Sequence, residues 1–208
     1  FKEANKEELK EYKEKIQKIL NTSLEVNITS GSTESNNWAL KGICQDNPNI
    51  KNKIITTEME HSSINETLEY LKTKGYEVIY CPLKDGIIDI ETLEKLLTKE
   101  VALITVASVN SETGTLQPVE KIAKLSKKYK IPFHCDMTQS IGKINIPLEN
   151  IDLISLSAHK IYGPKGIGLL LKNKDLPIKS IIYGERKYNL GLLKGLTKAL
   201  EISQKNLE

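Results

Sequence analysis

The sequence predicts an α/β protein: a three-layer sandwich in which helices cover both faces of a mostly parallel central sheet. Three observations predict this fold class. Segments with helical periodicity alternate with short apolar segments along the whole chain. The apolar segments are continuous hydrophobic runs, as expected for strands that are buried on both faces. Glycine and polar residues collect directly after these runs, where a parallel sheet presents its ligand site.

Six helices are predicted from apolar periodicity and from signals at their ends. The first is amphipathic. Ser32 or Thr33 is expected to cap the second, and Gly75 to close the third. Asp89 is expected to cap the fourth, and Pro118 to open the fifth. The predicted helices cover residues 5–20, 32–44, 62–75, 89–99, 118–130 and 190–206.

Seven strands are predicted between these helices, mainly from runs of Ile, Leu and Val that are too short for a helix. The run "VALITVASV" is almost entirely apolar and is expected to be central. The predicted strands cover residues 24–29, 51–59, 76–82, 101–109, 131–136, 151–157 and 166–172.

Composition excludes several classes of protein. The chain has 208 residues, which suits one domain, and its net charge of +3 comes from intermixed lysines and glutamates without a single-sign block. We therefore expect no nucleic-acid partner. No apolar run is long enough to span a membrane. Cys44, Cys81 and Cys135 are odd in number and far apart, so neither a metal site nor a disulfide framework is predicted, and a reducing, cytoplasmic location is expected.

Chemistry-bearing residues follow the predicted strands. The stretch "TSGSTESNN" turns the chain into a helix with Ser32 and Thr33 at its start, which favours an anion site, although an ordinary N-cap is the simpler reading. His61 begins the next helix, where a capping histidine is the simpler reading. Ser111 lies in a polar loop after the central strand. Asp136 follows another central strand without a nearby cation in the sequence, so it requires a cationic partner.

Two further segments complete this set. Gln139 follows Asp136 by one helical turn, and Ser157, His159 and Lys160 follow the strand over 151–157. An anion cradle, a carboxylate that needs a ring cation and a lysine together match pyridoxal 5′-phosphate. Its phosphate, pyridinium nitrogen and aldehyde require these groups.

The segments "TSGSTESNN", "TEMEHSS", "VNSETGTLQPV", "FHCDMTQSIGK" and "SLSAHKIYGPKGIG" resemble successive signature segments of the cysteine desulfurases. These belong to the class V aminotransferase group of fold type I enzymes that use pyridoxal phosphate. The resemblance is greatest to the branch that serves nitrogen fixation and iron–sulfur cluster assembly, and it extends from residue 5 to about residue 205.

The resemblance implies a role for each candidate residue. Lys160 would form the Schiff base, Asp136 would pair with the pyridinium nitrogen, and Gln139 would lie near the ring hydroxyl. His61 would stack on the ring and take part in catalysis. The phosphate would be held by Thr33, Ser157 and His159, with backbone donors at Ser32.

Four departures from the family pattern stand out. Ser111 occupies a position that is usually Asn, and Asn110 beside it is expected to point to the other face of the strand. The Arg-x-Gly-Thr segment is absent from "IIYGERKYNLGLLKGL". Neither the family's N-terminal segment nor its small C-terminal domain, which carries the persulfide cysteine, is recognised. Residues 1–208 are therefore expected to be the cofactor-binding large domain only.

The predicted function is that of a pyridoxal-phosphate-dependent cysteine desulfurase, which converts L-cysteine to L-alanine and an enzyme-bound persulfide for sulfur transfer. A selenocysteine lyase or another class V enzyme is an alternative within the same fold. A catalytically incomplete paralogue that acts as an interaction module is an alternative of another class. The resemblance implies a homodimer and a sulfur-acceptor or scaffold partner, with the 208 residues inactive by themselves.

Overall fold

The structure, a computed structural model, describes residues 2–44 and 51–207. Within these ranges every predicted helix and strand is present, most of them a few residues shorter than predicted. The helices are α1 Lys6–Ile19, α2 Ser32–Cys44, α3 Ser62–Lys72, α4 Ile90–Leu96, α5 Val119–Tyr129 and α6 Leu190–Lys205. The strands are β1 Glu25–Thr29, β2 Lys53–Thr56, β3 Glu77–Tyr80, β4 Leu83–Lys84, β5 Ile87–Ile88, β6 Val101–Thr105, β7 Phe133–Asp136, β8 Leu153–Ser157 and β9 Gly168–Lys172.

Seven of these strands form one sheet in the order β1-β9-β8-β7-β6-β2-β3. Neighbouring strands from β8 to β3 pair in parallel, whereas β9 is antiparallel to both β8 and β1. The carboxyl ends of β1, β2, β6, β7 and β8 therefore meet at one edge of the sheet. The start of β9 lies at the same edge because this strand runs in the opposite direction.

Two apolar cores flank the sheet, so the predicted three-layer, mostly parallel architecture is confirmed. Side chains of a strand alternate between its two faces, and β2 shows this clearly. Ile54 packs with α2 and α3 on one face, and Ile55 packs with the other core, to which α1, α4, α5 and α6 contribute. None of the helices in the described residues is long and apolar enough to cross a membrane.

The sequence analysis missed two short features. The first is the hairpin of β4 and β5, which turns at Asp85 and Gly86, both with positive φ. An Asp-Gly pair between apolar residues is a strong hairpin signal that could have found it. The second is a single 3₁₀ turn over Ala158–Ile161, directly after β8.

A close approach of two backbones brings the β1–α2 turn onto the edge of the sheet. A Cβ atom on Gly168 would lie 2.4 Å from the carbonyl oxygen of Leu156 and 2.6 Å from Cα of Gly31. Only glycine at position 168 lets β9 pair with β8 while the turn at Gly31 packs against it.

Candidate active site

One pocket with a volume of about 440 Å³ lies at the carboxyl edge of the parallel strands. The loops after β1, β2, β6, β7 and β8 all contribute to its wall. The structure brings together at this pocket every site residue that the sequence predicted: Ser32, Thr33, His61, Ser111, Asp136, Gln139, Ser157, His159 and Lys160. A larger cavity of about 950 Å³ is lined by residues that precede β7 and β8, and none of the predicted site residues lies in it.

The start of α2 forms one wall of the pocket. Ser157 Oγ accepts the backbone N–H of Ser32 at 2.7 Å and donates to Ser32 Oγ at 3.0 Å. The prediction that Ser32 or Thr33 caps this helix was wrong, because both residues lie inside α2 and neither hydroxyl accepts a backbone N–H group from the described residues. The backbone N–H groups of Thr33 and Glu34 donate to no other described residue, and two donors stay open at the positive end of the helix.

Asp136 ends β7 and is almost completely buried. Its Oδ1 accepts the backbone N–H of Thr138 at 3.0 Å and the Thr138 hydroxyl at 2.5 Å. Its Oδ2 accepts from Asn36 Nδ2 at 2.9 Å. No lysine or arginine forms an ion pair with this carboxyl among the described residues. A carboxylate has about four acceptor positions, so one stays available on the side that lines the pocket.

Asn36 and Thr138 are hydrogen-bond partners of Asp136 that the sequence analysis missed. Asn36 is fully buried in α2, and its Nδ2 joins Asp136 to Ser63 Oγ at 2.9 Å in each case. Its Oδ1 has no hydrogen-bond partner. Asn36 and Asp136 are 100 residues apart in the chain, and no local signal in the sequence connects them.

Two more buried titratable groups lie close to Asp136. Burial raises the pKa of Glu60 to about 8, and the charge of Asp136 adds to this increase. Burial lowers the pKa of His134 to about 4, although the charge of Asp136 opposes that decrease. The imidazole of His134 lies between Thr105 Oγ1 and Ser155 Oγ, each at 2.8 Å. Burial therefore favours the neutral forms of Glu60 and His134, the two titratable groups whose pKa values the charge of Asp136 influences.

His61 occupies the N-cap position of α3 and also lines the pocket. Its Nδ1 accepts the backbone N–H of Ser63 at 3.1 Å, which places the ring proton on Nε2. The simpler reading of His61 as a capping histidine thus describes one of its contacts, and the cap also fixes the orientation of its ring beside the pocket.

Lys160 and His159 lie on the 3₁₀ turn after β8, and both are exposed. The Lys160 amine forms no hydrogen bond or ion pair with any other described residue. Lys143 lies close by and donates to Gln139 Oε1 at 2.9 Å. Burial, and after it the charge of Lys160, lower the pKa of Lys143. Gln139 is thus held by a neighbouring lysine at the wall of the pocket.

Ser111 is exposed at the rim, and Asn110 beside it also lines the pocket. The prediction that Asn110 points to the other face was wrong, because β6 ends at Thr105 and strand alternation no longer applies. Asn110 Nδ2 donates to the carbonyl of Met59 at 2.8 Å, and its Oδ1 accepts the N–H of Thr113 at 2.8 Å. Asn110 therefore joins the loops after β2 and β6.

All three cysteines are buried away from solvent. Burial raises the pKa of Cys44 to about 12 and that of Cys81 to about 11, and it raises the pKa of Cys135 well above its usual value. A thiol is a nucleophile only as the thiolate. None of the three is therefore a reactive thiol in the folded chain.

Comparison with protein families matches residues 1–183 to the family described as aminotransferase class-V. The chain belongs to the class-V aminotransferase family. Members of this family, the cysteine desulfurases included, depend on pyridoxal phosphate.

Similar proteins agree with membership of the class-V aminotransferases. Cysteine desulfurase IscS of Clostridium botulinum is 37% identical over 219 residues, which cover 100% of this chain and 55% of that protein. A solved structure named NifS-like protein has a TM-score of 0.92 and 37% identity, and covers 96% of this chain and 59% of its own. A structure of SspA in complex with cysteine has a TM-score of 0.88 and 34% identity, and the match covers 94% of this chain and 60% of the SspA chain. The chain thus spans about half the length of the curated relatives it matches.

Proposed function

We propose that residues 1–208 are the pyridoxal-phosphate-binding large domain of a cysteine desulfurase. Such an enzyme converts L-cysteine to L-alanine and transfers the sulfur to a thiol. One observation carries the proposal: a free lysine amine, a buried carboxylate without a cationic partner and an open helix N-terminus all line one pocket. The relatives named cysteine desulfurase and the similar structure solved with cysteine support this substrate.

The residues of the pocket fit the cofactor. The Asp136 carboxylate accepts three hydrogen bonds from Asn36 and Thr138 and keeps one open acceptor position, which suits a protonated ring nitrogen. The open N–H groups of Thr33 and Glu34, with the hydroxyl of Ser32, suit a phosphate at a helix N-terminus. The volume of about 440 Å³ lies within the range of small-molecule sites.

Pyridoxal phosphate, when bound, supplies an aldehyde and an electron-withdrawing ring that stabilises negative charge at the α-carbon of an amino acid. Lys160 would hold the aldehyde carbon, and its amine is free of competing partners. Asp136 would keep the ring nitrogen protonated. His61, whose ring is fixed by Ser63, would pack on the ring. Ser157 and His159 would support the phosphate, and Gln139 and Ser111 would face the ring oxygen.

The sulfur-accepting thiol is proposed to lie outside these 208 residues. Cys44, Cys81 and Cys135 are buried with raised pKa values, so none of them offers a thiolate to the pocket. The 208-residue chain alone is therefore expected to form no alanine from L-cysteine. A homodimer, a sulfur-acceptor or scaffold partner and a cytoplasmic location belong to the same proposal. The fully exposed Tyr162, two residues after Lys160, is consistent with a partner subunit at this edge.

Reductive trapping tests the assignment. The chain is incubated with pyridoxal phosphate, reduced with borohydride and mapped by peptide mass. The label is expected on Lys160 and should disappear in Lys160→Ala. Lys165 lines the same pocket and gives the matched control, because Lys165→Ala should retain the label. A label on Lys165 or elsewhere, or no label at excess cofactor, would contradict the proposal and favour an interaction module.

A further inference from the structure

Glu34 places a carboxylate in the first turn of α2, beside the open N–H groups of the anion cradle formed by Ser32, Thr33 and Glu34. Its side chain is only 12% exposed, and its Oε2 accepts the backbone N–H of Ser30 at 2.7 Å. The carboxylate therefore cannot turn away without losing this bond. An acidic group is favourable at a helix N-terminus, but beside a bound phosphate it would repel the ligand unless a cation neutralised it.

Arg186 supplies that cation. Its Nη2 donates to Glu34 Oε1, and its side chain is 24% exposed. Its guanidinium lies 5.6 Å from the ring of Trp38 and 5.8 Å from the ring of Tyr188. Burial alone raises the pKa of Glu34, but hydrogen bonds from Ser30 and the charge of Arg186 outweigh it, and the net pKa is lowered. The pair is therefore a carboxylate and a guanidinium near pH 7.

The segment between β9 and α6 carries Arg186 to this position. Trp38 Nε1 donates to the carbonyl of Lys179 at 2.9 Å, and the N–H of Lys179 donates to the carbonyl of Gly42 at 3.0 Å. A Cβ atom on Gly42 would lie 2.8 Å from that Lys179 oxygen, so glycine is needed for the segment to lie on α2. This is the stretch where the sequence lacks Arg-x-Gly-Thr, and it contains no other arginine.

We propose that Arg186 is a positioning residue for anion binding: by holding and neutralising Glu34, it lets a phosphate occupy the cradle of Ser32, Thr33 and Glu34. The inference rests on the proposed function in that the phosphate is taken to be the cofactor's. It assigns Arg186 a role in discriminating phosphorylated from unphosphorylated pyridoxal. Arg186 itself touches Glu34, not the ligand.

The test compares pyridoxal phosphate with pyridoxal, which lacks the phosphate. In Arg186→Met, the dissociation constant of pyridoxal phosphate should rise roughly tenfold, the size expected for an uncompensated like charge in a partly hydrated site. The affinity for pyridoxal should not change. The double variant Arg186→Met/Glu34→Gln should recover most of the loss, because it removes the carboxylate that Arg186 neutralises. Lys187→Met, at an exposed neighbour that pairs with Glu3, is the matched control and should resemble the wild type.

Equal losses for both ligands, or no recovery in the double variant, would show that Arg186 is merely structural and would overturn the inference. Inorganic phosphate separates this inference from the proposed function. At the same phosphate concentration, the rise in melting temperature should be smaller for Arg186→Met than for the wild type and the double variant. If no Lys160 adduct forms, the proposed function fails while the phosphate result still decides the inference. If Arg186→Met does not fold, Glu34→Gln alone must bind phosphate at least as tightly as the wild type, and weaker binding overturns the proposal.

Discussion

Replacing Glu60 by glutamine should stabilise the folded chain by an amount that grows with pH. Glu60 is buried, with Oε1 2.7 Å from Thr57 Oγ1 and Oε2 accepting the N–H of Ala107 at 2.9 Å. A glutamine can keep both contacts, because its amide donates to the threonine hydroxyl and its carbonyl accepts the N–H. Glu60→Gln therefore mimics the protonated carboxylic acid at every pH.

The magnitude follows from the pKa. Burial raises the pKa of Glu60 from 4.5 to about 8. Between these values the folded chain keeps a proton that the unfolded chain has released. The free energy of unfolding therefore falls by about 1.4 kcal/mol per pH unit as pH rises, and levels off above the folded pKa. At pH 7 the wild type should have lost about 3 kcal/mol relative to the variant.

His134 contributes a pH dependence of opposite sign. Burial lowers its pKa from 6.5 to about 4. Between these two pH values His134 binds a proton in the unfolded chain but not in the folded chain. Its stabilisation is complete above the unfolded value and is lost as pH falls toward the folded one. The wild type and Glu60→Gln both contain His134. The difference between their free energies of unfolding therefore isolates the contribution of Glu60.

Urea unfolding of the apo chain, followed by the fluorescence of the single tryptophan, measures this difference between about pH 5 and pH 8. Glu58→Gln is the matched control, since it removes an exposed carboxyl two residues away and makes the same chemical change. A flat curve for Glu60→Gln, or a variant that is less stable at every pH, would refute a buried neutral Glu60.

Three further outcomes are expected. Asn36→Leu, which removes the donor shared by Asp136 and Ser63, should lower the free energy of unfolding by about 1–3 kcal/mol in the same urea assay; an unchanged value would show that the carboxyl has another donor. Gly168→Ala should destabilise the chain by several kcal/mol or prevent folding, because backbone atoms 2.4 Å and 2.6 Å from the new Cβ cannot yield; normal stability would contradict the close approach to Gly31. Cys44, Cys81 and Cys135 should resist a thiol reagent in the native chain and react after denaturation, and rapid native labelling of any of them would contradict their burial.

Much of the fold is predictable from local patterns. Apolar periodicity located the six helices and the seven main-sheet strands found in the described residues, because each element buries one face and the apolar side chains of that face recur at a fixed spacing in the sequence. The direction of β9 relative to its neighbours could not be predicted in this way. A strand buried on both faces has the same apolar run whether it is parallel or antiparallel to its neighbours, so only the assembled sheet reveals it.

The sequence by itself determined the main residues of the candidate site, because a parallel sheet brings the loops after its strands to one edge. Only the tertiary structure decided what surrounds them. Asn36 meets Asp136 across 100 residues, and Arg186 meets Glu34 across 152 residues. The raised pKa of Glu60 likewise results from its burial, which no pattern in the neighbouring sequence indicates. Hydrogen bonds and desolvation act through space, so residues that are distant in sequence set the charge state and the orientation of groups that the sequence alone could only locate.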